Sequence, residues 1–83
     1  MIDFASRIRL MRDLLGWRQF RLATEINVHP NTVSKWEMGI QKPHKKYERQ
    51  LVILAERNNI VFDGEGYPRY AKREGFKLAS KRG

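Results

Sequence analysis

Two short helix-forming segments, separated by one tight turn, lie in the middle of the chain and limit the folds open to it. The first runs from Gln19 to Ile26, with its apolar residues on one side of a helix. The second runs from Pro30 to Trp36, because proline suits the first position of a helix, where a backbone N–H has no partner. Ala23 is small enough to let two short helices cross closely at a steep angle. The residues predicted to bury the facing sides are Leu22, Ala23, Val28, Val33 and Trp36.

Two further helices are predicted on either side of this pair. Asp3 caps the first helix and Gly16 ends it. Its apolar stripe consists of Phe4, Ile8, Met11 and Leu15. Pro43 begins the fourth helix, and Asn58 and Asn59 end it. The residues of this helix predicted to point inward are Tyr47, Leu51, Val52, Leu54 and Ala55. The pattern predicts an all-α domain over residues 1–59.

The character of the chain changes after residue 59. Gly64, Gly66, Pro68 and Gly75 interrupt any helix, and the last dozen residues are mostly basic. The run from Ile60 to Phe62 is typical of a short strand. We therefore expect residues 60–83 to form an appendage, either a short β-hairpin or a flexible basic tail.

Charge points to a polyanionic partner. The chain has 83 residues, and its 17 lysines and arginines against nine acids give a net charge of +8. Such a balance favours binding to nucleic acid, although contact with acidic lipid stays open. The longest mostly apolar run, Leu51 to Ala55, falls far short of the roughly 20 residues that a membrane span needs. The charged N-terminus does not resemble a secretory signal, and we expect a cytoplasmic protein.

Catalysis and metal binding are disfavoured by the residue types present. There is no cysteine and no phosphate-binding loop. The two histidines, His29 and His44, lack a third ligand or an orienting acid at motif spacing. We therefore expect neither an enzyme nor a metal or cofactor site. In contrast, the outer face of the Pro30 to Trp36 helix carries polar groups able to reach base edges in a major groove about 12 Å wide. They are His29, Asn31, Thr32, Ser34 and Lys35.

Residues 8–43 closely resemble the Cro/C1-type (XRE-like) helix-turn-helix of phage repressors and small bacterial regulators. The matching positions are Ile8, Arg12, Gly16, Gln19, Leu22, Ala23, Val28, Thr32, Val33, Ser34, Trp36, Glu37, Gly39 and Pro43. The run from Thr32 to Gly39, followed by Lys42 and Pro43, is the most specific part. The resemblance implies a lambda repressor-like domain of four to five helices, although the customary fifth helix is not evident.

The resemblance also implies a role for individual side chains. Asn31 and Lys35 hold positions that contact bases in relatives, and Thr32 could touch a thymine methyl or a phosphate. His29 is either a helix cap or a further base contact. Arg12 and Glu37 match a structural salt bridge. Gln19 matches a glutamine that binds a phosphate and braces the base-contacting helix. The remaining expected phosphate contacts are Arg18, Ser34, Gln41, Lys42, Lys45 and Lys46.

Three departures from the family pattern carry physical consequences. Arg18 stands where a capping threonine or serine is usual, which costs about 1 kcal/mol unless a neighbour compensates. Pro30 occupies a position that often contacts a base, but proline has no donor. The interval from Pro43 to Ala55 is about three residues longer than usual, so the fourth helix is extended or offset.

Two functions follow as hypotheses. The first is a repressor that binds a palindromic DNA operator as a homodimer, an arrangement typical of regulators from phages and mobile elements. Its candidate dimer contacts are Ile60, Val61, Phe62 and Tyr67. The alternative is an antitoxin-like adaptor that holds a partner protein through residues 60–83 and controls its own operon. The tail could instead lie on flanking DNA through Arg69, Lys72, Arg73, Lys77, Lys81 and Arg82.

Overall fold

The computed structural model describes residues 1–71, which form four helices followed by two strands. The elements are α1 (Phe4–Leu15), α2 (Gln19–Ile26), α3 (Pro30–Glu37), α4 (Lys45–Arg57), β1 (Ile60–Phe62) and β2 (Pro68–Tyr70). The predicted all-helical domain with a small C-terminal β element is confirmed. Five of the basic tail residues lie outside the described residues, namely Lys72, Arg73, Lys77, Lys81 and Arg82.

The ends of α1 agree with the signals in the sequence. The Asp3 carboxylate accepts a hydrogen bond from the backbone N–H of Ser6 at 2.8 Å. This bond favours the ionised form and so lowers the pKa of the Asp3 carboxyl below its ordinary value. At the other end, Gly16 adopts the left-handed conformation with φ of 72°, which allows the chain to leave the helix sharply.

Helices α2 and α3 form the close pair that the sequence predicts. Asn27 ends α2 in the left-handed conformation, and the N–H of Val28 donates to the carbonyl of Ala23 at 2.9 Å. Ala23 itself is only 1% exposed, so a larger side chain there would collide with its neighbours. Arg18 makes no side-chain hydrogen bond at the start of α2, and no other residue replaces the missing cap. Helix α3 ends at Glu37, one residue later than predicted.

All four helices and β1 contribute to one apolar core. Its buried residues are Ile8, Met11, Leu22, Ala23, Ile26, Val33, Trp36, Leu51, Leu54, Ala55 and Ile60. Trp36 lies near the centre, and its ring centroid is 5.8 Å from that of Tyr47 on α4. The core therefore fixes the inner side of α3 against the rest of the domain.

Helix α4 departs from the sequence prediction in two respects. It begins at Lys45 rather than at Pro43. Pro43 is buried ahead of the helix, and the extended His44 supplies the first accepting carbonyl, to the N–H groups of Tyr47 and Glu48. Val52 was predicted to point inward but is 49% exposed, because its neighbours Leu51 and Leu54 already fill the inner side of the helix.

Strands β1 and β2 form an antiparallel hairpin, so the hairpin alternative holds for the described part of the tail. The hairpin packs on α1, where the Tyr70 hydroxyl donates to the carbonyl of Leu14 at 2.7 Å. Ile60 is 2% exposed and belongs to the core. Its prediction as a dimer contact was therefore wrong, because the domain's own helices cover it. Phe62 is half-buried, whereas Val61 and Tyr67 remain exposed.

Candidate nucleic-acid interface

Helix α3 presents two chemically different sides. Val33 and Trp36 are 0% and 2% exposed and hold the helix in the core. Asn31 and Lys35 are exposed, and their spacing of four residues places them on one outer face. Both side chains are long or polar enough to donate hydrogen bonds into a groove. The inner face thus anchors the helix and leaves the outer face free to contact a ligand.

His29 caps α3 with its imidazole ring. Its Nδ1 accepts a hydrogen bond from the backbone N–H of Asn31 at 3.0 Å, while the side chain stays exposed. An accepting Nδ1 places the proton of a neutral ring on Nε2, which is then a donor. Capping and an outward hydrogen bond are therefore compatible in this residue. Pro30 follows at the first helical position and contributes its fixed φ.

Other polar and apolar groups border this face. Thr32 and Ser34 are half-buried at its edges. Met38 and Ile40, which we did not single out in the sequence, are 63% and 68% exposed directly after the helix. The signal in the sequence is that Met38 and Ile40 follow Trp36, the predicted end of the helix, which predicts that they are not part of its buried side. They offer apolar surface beside the polar groups.

A buried ion pair links the three N-terminal helices. The Arg12 guanidinium donates through Nε to Glu37 Oε2 at 2.8 Å and through Nη2 to Oε1 at 2.9 Å. Gln19 Nε2 donates to the same Oε1 at 3.0 Å. Arg12 also donates from Nη1 to the carbonyl of Trp17 at 3.0 Å. The hydrogen bonds to Glu37 raise the pKa of the Arg12 guanidinium above its usual value. This network fixes the last turn of α3 against α1 and α2.

Three of the other residues predicted to bind phosphates lie near the C-terminal end of α3. Arg18 directly precedes α2, whose first residue contacts Glu37 at the end of α3. The loop after α3 folds back on the same end, because the backbone N–H of Gln41 points to the carbonyl of Lys35 at 3.4 Å. Arg18, Gln41 and Lys42 are all exposed. They therefore border one end of the outer face.

Lys45 and Lys46 are exposed in the first turn of α4, outside the loop that folds onto α3. Lys46 Nζ lies 5.1 Å from the ring centroid of Tyr47, so its ammonium group already has a favourable neighbour.

Over residues 1–71 no group of three or more metal-ligating side chains comes together. In the same range, no helix combines the length and apolar composition that crossing a membrane requires.

The comparison with protein families agrees with this geometry. Residues 8–47 match the family model described as helix-turn-helix. The match contains Arg12, Gln19, Glu37 and the whole of α3. No curated protein and no solved structure matches the chain. Residues 8–47 are therefore similar to the helix-turn-helix domains of Cro/C1-type DNA-binding regulators.

Proposed function

We propose that the protein is a sequence-specific transcriptional repressor that binds a palindromic operator as a homodimer. Each protomer inserts α3, the recognition helix, into the major groove. The observation that carries the proposal is the two-sided burial of α3. Its inner residues Val33 and Trp36 are almost fully buried, while Asn31 and Lys35 share an exposed outer face. The protein acts at the nucleoid, where its operator lies.

Base contacts in this proposal come from the outer face and the first turn of the recognition helix. An Asn31 amide forms a bidentate pair with adenine, and a Lys35 ammonium donates to guanine, each worth about 1–3 kcal/mol of discrimination. His29 donates through Nε2 while its Nδ1 keeps the cap. Thr32 contacts a thymine methyl from the edge of the face. Met38 and Ile40 add apolar contacts to the groove wall.

Phosphate contacts fix the position of the recognition helix. The basic groups are Arg18, Lys42, Lys45 and Lys46, with Ser34 and Gln41 as uncharged donors. Gln19 uses one amide N–H to hold Glu37, which leaves its second N–H for a phosphate oxygen. Gln19 thereby couples DNA binding to the position of the recognition helix.

A homodimer follows from the size of the recognition helix. Eight residues span about 12 Å, so one helix contacts only a few base pairs. Two copies related by a twofold axis double the contacts and require half-sites about 34 Å apart. Dimerisation and DNA binding both depend on protein concentration, which suits a repressor of its own gene.

The proposal is tested by fluorescence anisotropy with DNA from the promoter of its own gene and with scrambled DNA. Asn31→Ala and Lys35→Ala should each reduce the preference for promoter DNA about tenfold or more. Lys42→Ala should weaken binding to both DNAs equally and lower the salt slope by about 0.9. Arg57→Ala is the matched control, because this exposed basic residue lies in the last turn of α4 and is not among the proposed DNA contacts.

Equal binding of promoter and scrambled DNA by the wild-type protein would refute sequence-specific regulation of that gene. Unchanged preference in both Asn31→Ala and Lys35→Ala would refute the assignment of base contacts to the outer face. Gln19→Ala is unsuitable as a pure phosphate variant, because it also removes a hydrogen bond from Glu37.

A further inference from the structure

Helix α4 carries an exposed apolar pair between two opposite charges. Val52 and Ile53 are 49% and 42% exposed, and Arg49 and Glu56 are exposed one turn to either side. An α-helix turns by about 100° per residue, so Arg49 and Glu56 lie almost in line along the middle of the exposed face. Val52 lies on one side of that line and Ile53 lies on the other. The buried Leu51 and Leu54 lie on the opposite side of the helix. Within the described residues, neither Arg49 nor Glu56 takes part in an ion pair.

The order of these four residues makes the face complementary to itself. Arg49 and Glu56 are seven residues apart, or about 10 Å along the axis, which is too far for an ion pair within the helix. A second α4 running antiparallel, with a twofold axis between positions 52 and 53, places Arg49 opposite Glu56 of the partner subunit. The same symmetry places Ile53 against the partner's Ile53 on one flank and Val52 against the partner's Val52 on the other. The Arg49–Glu56 pair therefore forms twice, once on each side of the twofold axis, as an isologous interface requires.

We propose that Arg49, Val52, Ile53 and Glu56 form the contact through which two copies of this chain associate. This interface rests on the proposed function, since binding to a palindrome requires a homodimer. It differs from the hairpin contact expected from the sequence, of which Ile60 is buried in the core of its own protomer while Val61 and Tyr67 are exposed. Charge complementarity favours a second copy of this chain as the partner. In an antiparallel copy of α4 the order of the charges is reversed, so each arginine faces a glutamate.

The size of the face sets the strength of the contact. A helix of 13 residues is about 20 Å long and 10 Å wide, which gives a footprint of about 200 Å² per protomer. A stable interface buries about 800 Å² per partner, so this dimer is weak in free solution. It becomes the main species on operator DNA, where adjacent half-sites raise the effective concentration of the second copy.

The test exchanges the charges in the full chain. Sedimentation equilibrium at protein concentrations up to about 1 mM measures dimerisation, and cooperative binding to two half-sites measures it on DNA. Arg49→Glu and Glu56→Arg should each weaken the dimer about tenfold, because each creates two like-charge contacts. An equimolar mixture of the two variants should associate as well as wild type, since both contacts in the mixed dimer are again between opposite charges. Ile53→Asp should abolish association in both assays.

Val61→Asp is the matched control, because it introduces the same charge at an apolar residue with similar exposure, 40% against 42%. A mixture that associates no better than its separate components would overturn the interface. Loss of the dimer in Val61→Asp but not in Ile53→Asp would overturn it in favour of the hairpin. A wild-type chain that stays monomeric and fills two half-sites independently would also overturn it.

Failure of the interface is distinguishable from failure of the proposed function. Asn31→Ala should dimerise like wild type while it loses sequence preference. Conversely, Ile53→Asp should still prefer an operator half-site over scrambled DNA. A wild-type protein that prefers promoter DNA but fills two half-sites independently rejects the interface and the homodimer, and leaves sequence-specific DNA binding by α3 standing. A dimeric protein without sequence preference rejects only the DNA-binding proposal.

Discussion

The buried carboxylate of Glu37 provides the sharpest test of how the recognition helix is held. Glu37→Gln keeps the shape of the side chain but removes its charge. Three hydrogen bonds of 2.8 to 3.0 Å from Arg12 and Gln19 lose their charged acceptor. The Glu37 and Arg12 side chains are 5% and 17% exposed, so water screens the pair only weakly.

The expected loss of stability follows from that burial. Removing one partner of a buried ion pair costs about 3–5 kcal/mol. We expect about 3 kcal/mol here, since Arg12 keeps some exposure and its bond to the carbonyl of Trp17. A chain of this size has a total free energy of unfolding of about 4–12 kcal/mol. The substitution therefore removes a large fraction of the stability.

Urea unfolding followed by circular dichroism measures the effect. With an m-value of about 1 kcal/mol/M, the midpoint should fall by about 3 M while the m-value stays unchanged. Glu25→Gln is the matched control, because it breaks the exposed Arg21–Glu25 pair of 2.9 Å, whose side chains are 54% and 35% exposed. That change should cost no more than about 0.5 kcal/mol.

A double-mutant cycle isolates the contact between Arg12 and Glu37. Once Glu37 is replaced, Arg12→Gln should cost little more, which gives a coupling free energy of about 2 kcal/mol. Equal losses for Glu37→Gln and Glu25→Gln, or additive effects in the cycle, would refute the structural role of the network.

Three further predictions concern the ends and the core of the helices. Arg18→Ser should raise the free energy of unfolding by about 0.5–1 kcal/mol, because it supplies the cap that α2 lacks, and should weaken binding to all DNA sequences in anisotropy. Leu22→Ala should cost about 3 kcal/mol in urea unfolding, since Leu22 is 0% exposed and its truncation leaves a cavity. The lowered pKa of Asp3 stabilises the fold above the ordinary value of 3.8, and this contribution is lost as the pH falls through the folded-state pKa. Asp3→Asn keeps a capping oxygen without this titration, so its melting temperature should fall less than that of wild type between pH 5 and pH 3. An equal fall in both proteins would contradict the role of the Asp3 cap.

Local signals in the sequence were sufficient for the first three helices. Their apolar spacing, the Asp3 cap and the stop at Gly16 act within one or two turns, so they need no distant contact to be interpreted. The two faces of α3 follow from the same periodicity. The sequence therefore located the outer face that we propose contacts bases, although its chemistry was expected from a family resemblance and not from spacing alone.

Only the tertiary structure decided how the remaining parts are arranged. A two-stranded hairpin of such short strands is not stable alone, and this one depends on α1, through contacts such as that of Tyr70 with Leu14. The packing of β1 against α4 buries Ile60 and removes it from any dimer contact. Likewise, the position of α4 against the core decides that Leu51 and Leu54 point inward while Val52 remains exposed. The sequence identifies which residues are apolar and would gain free energy from burial. Whether such a residue is buried depends on which helices and strands pack against it.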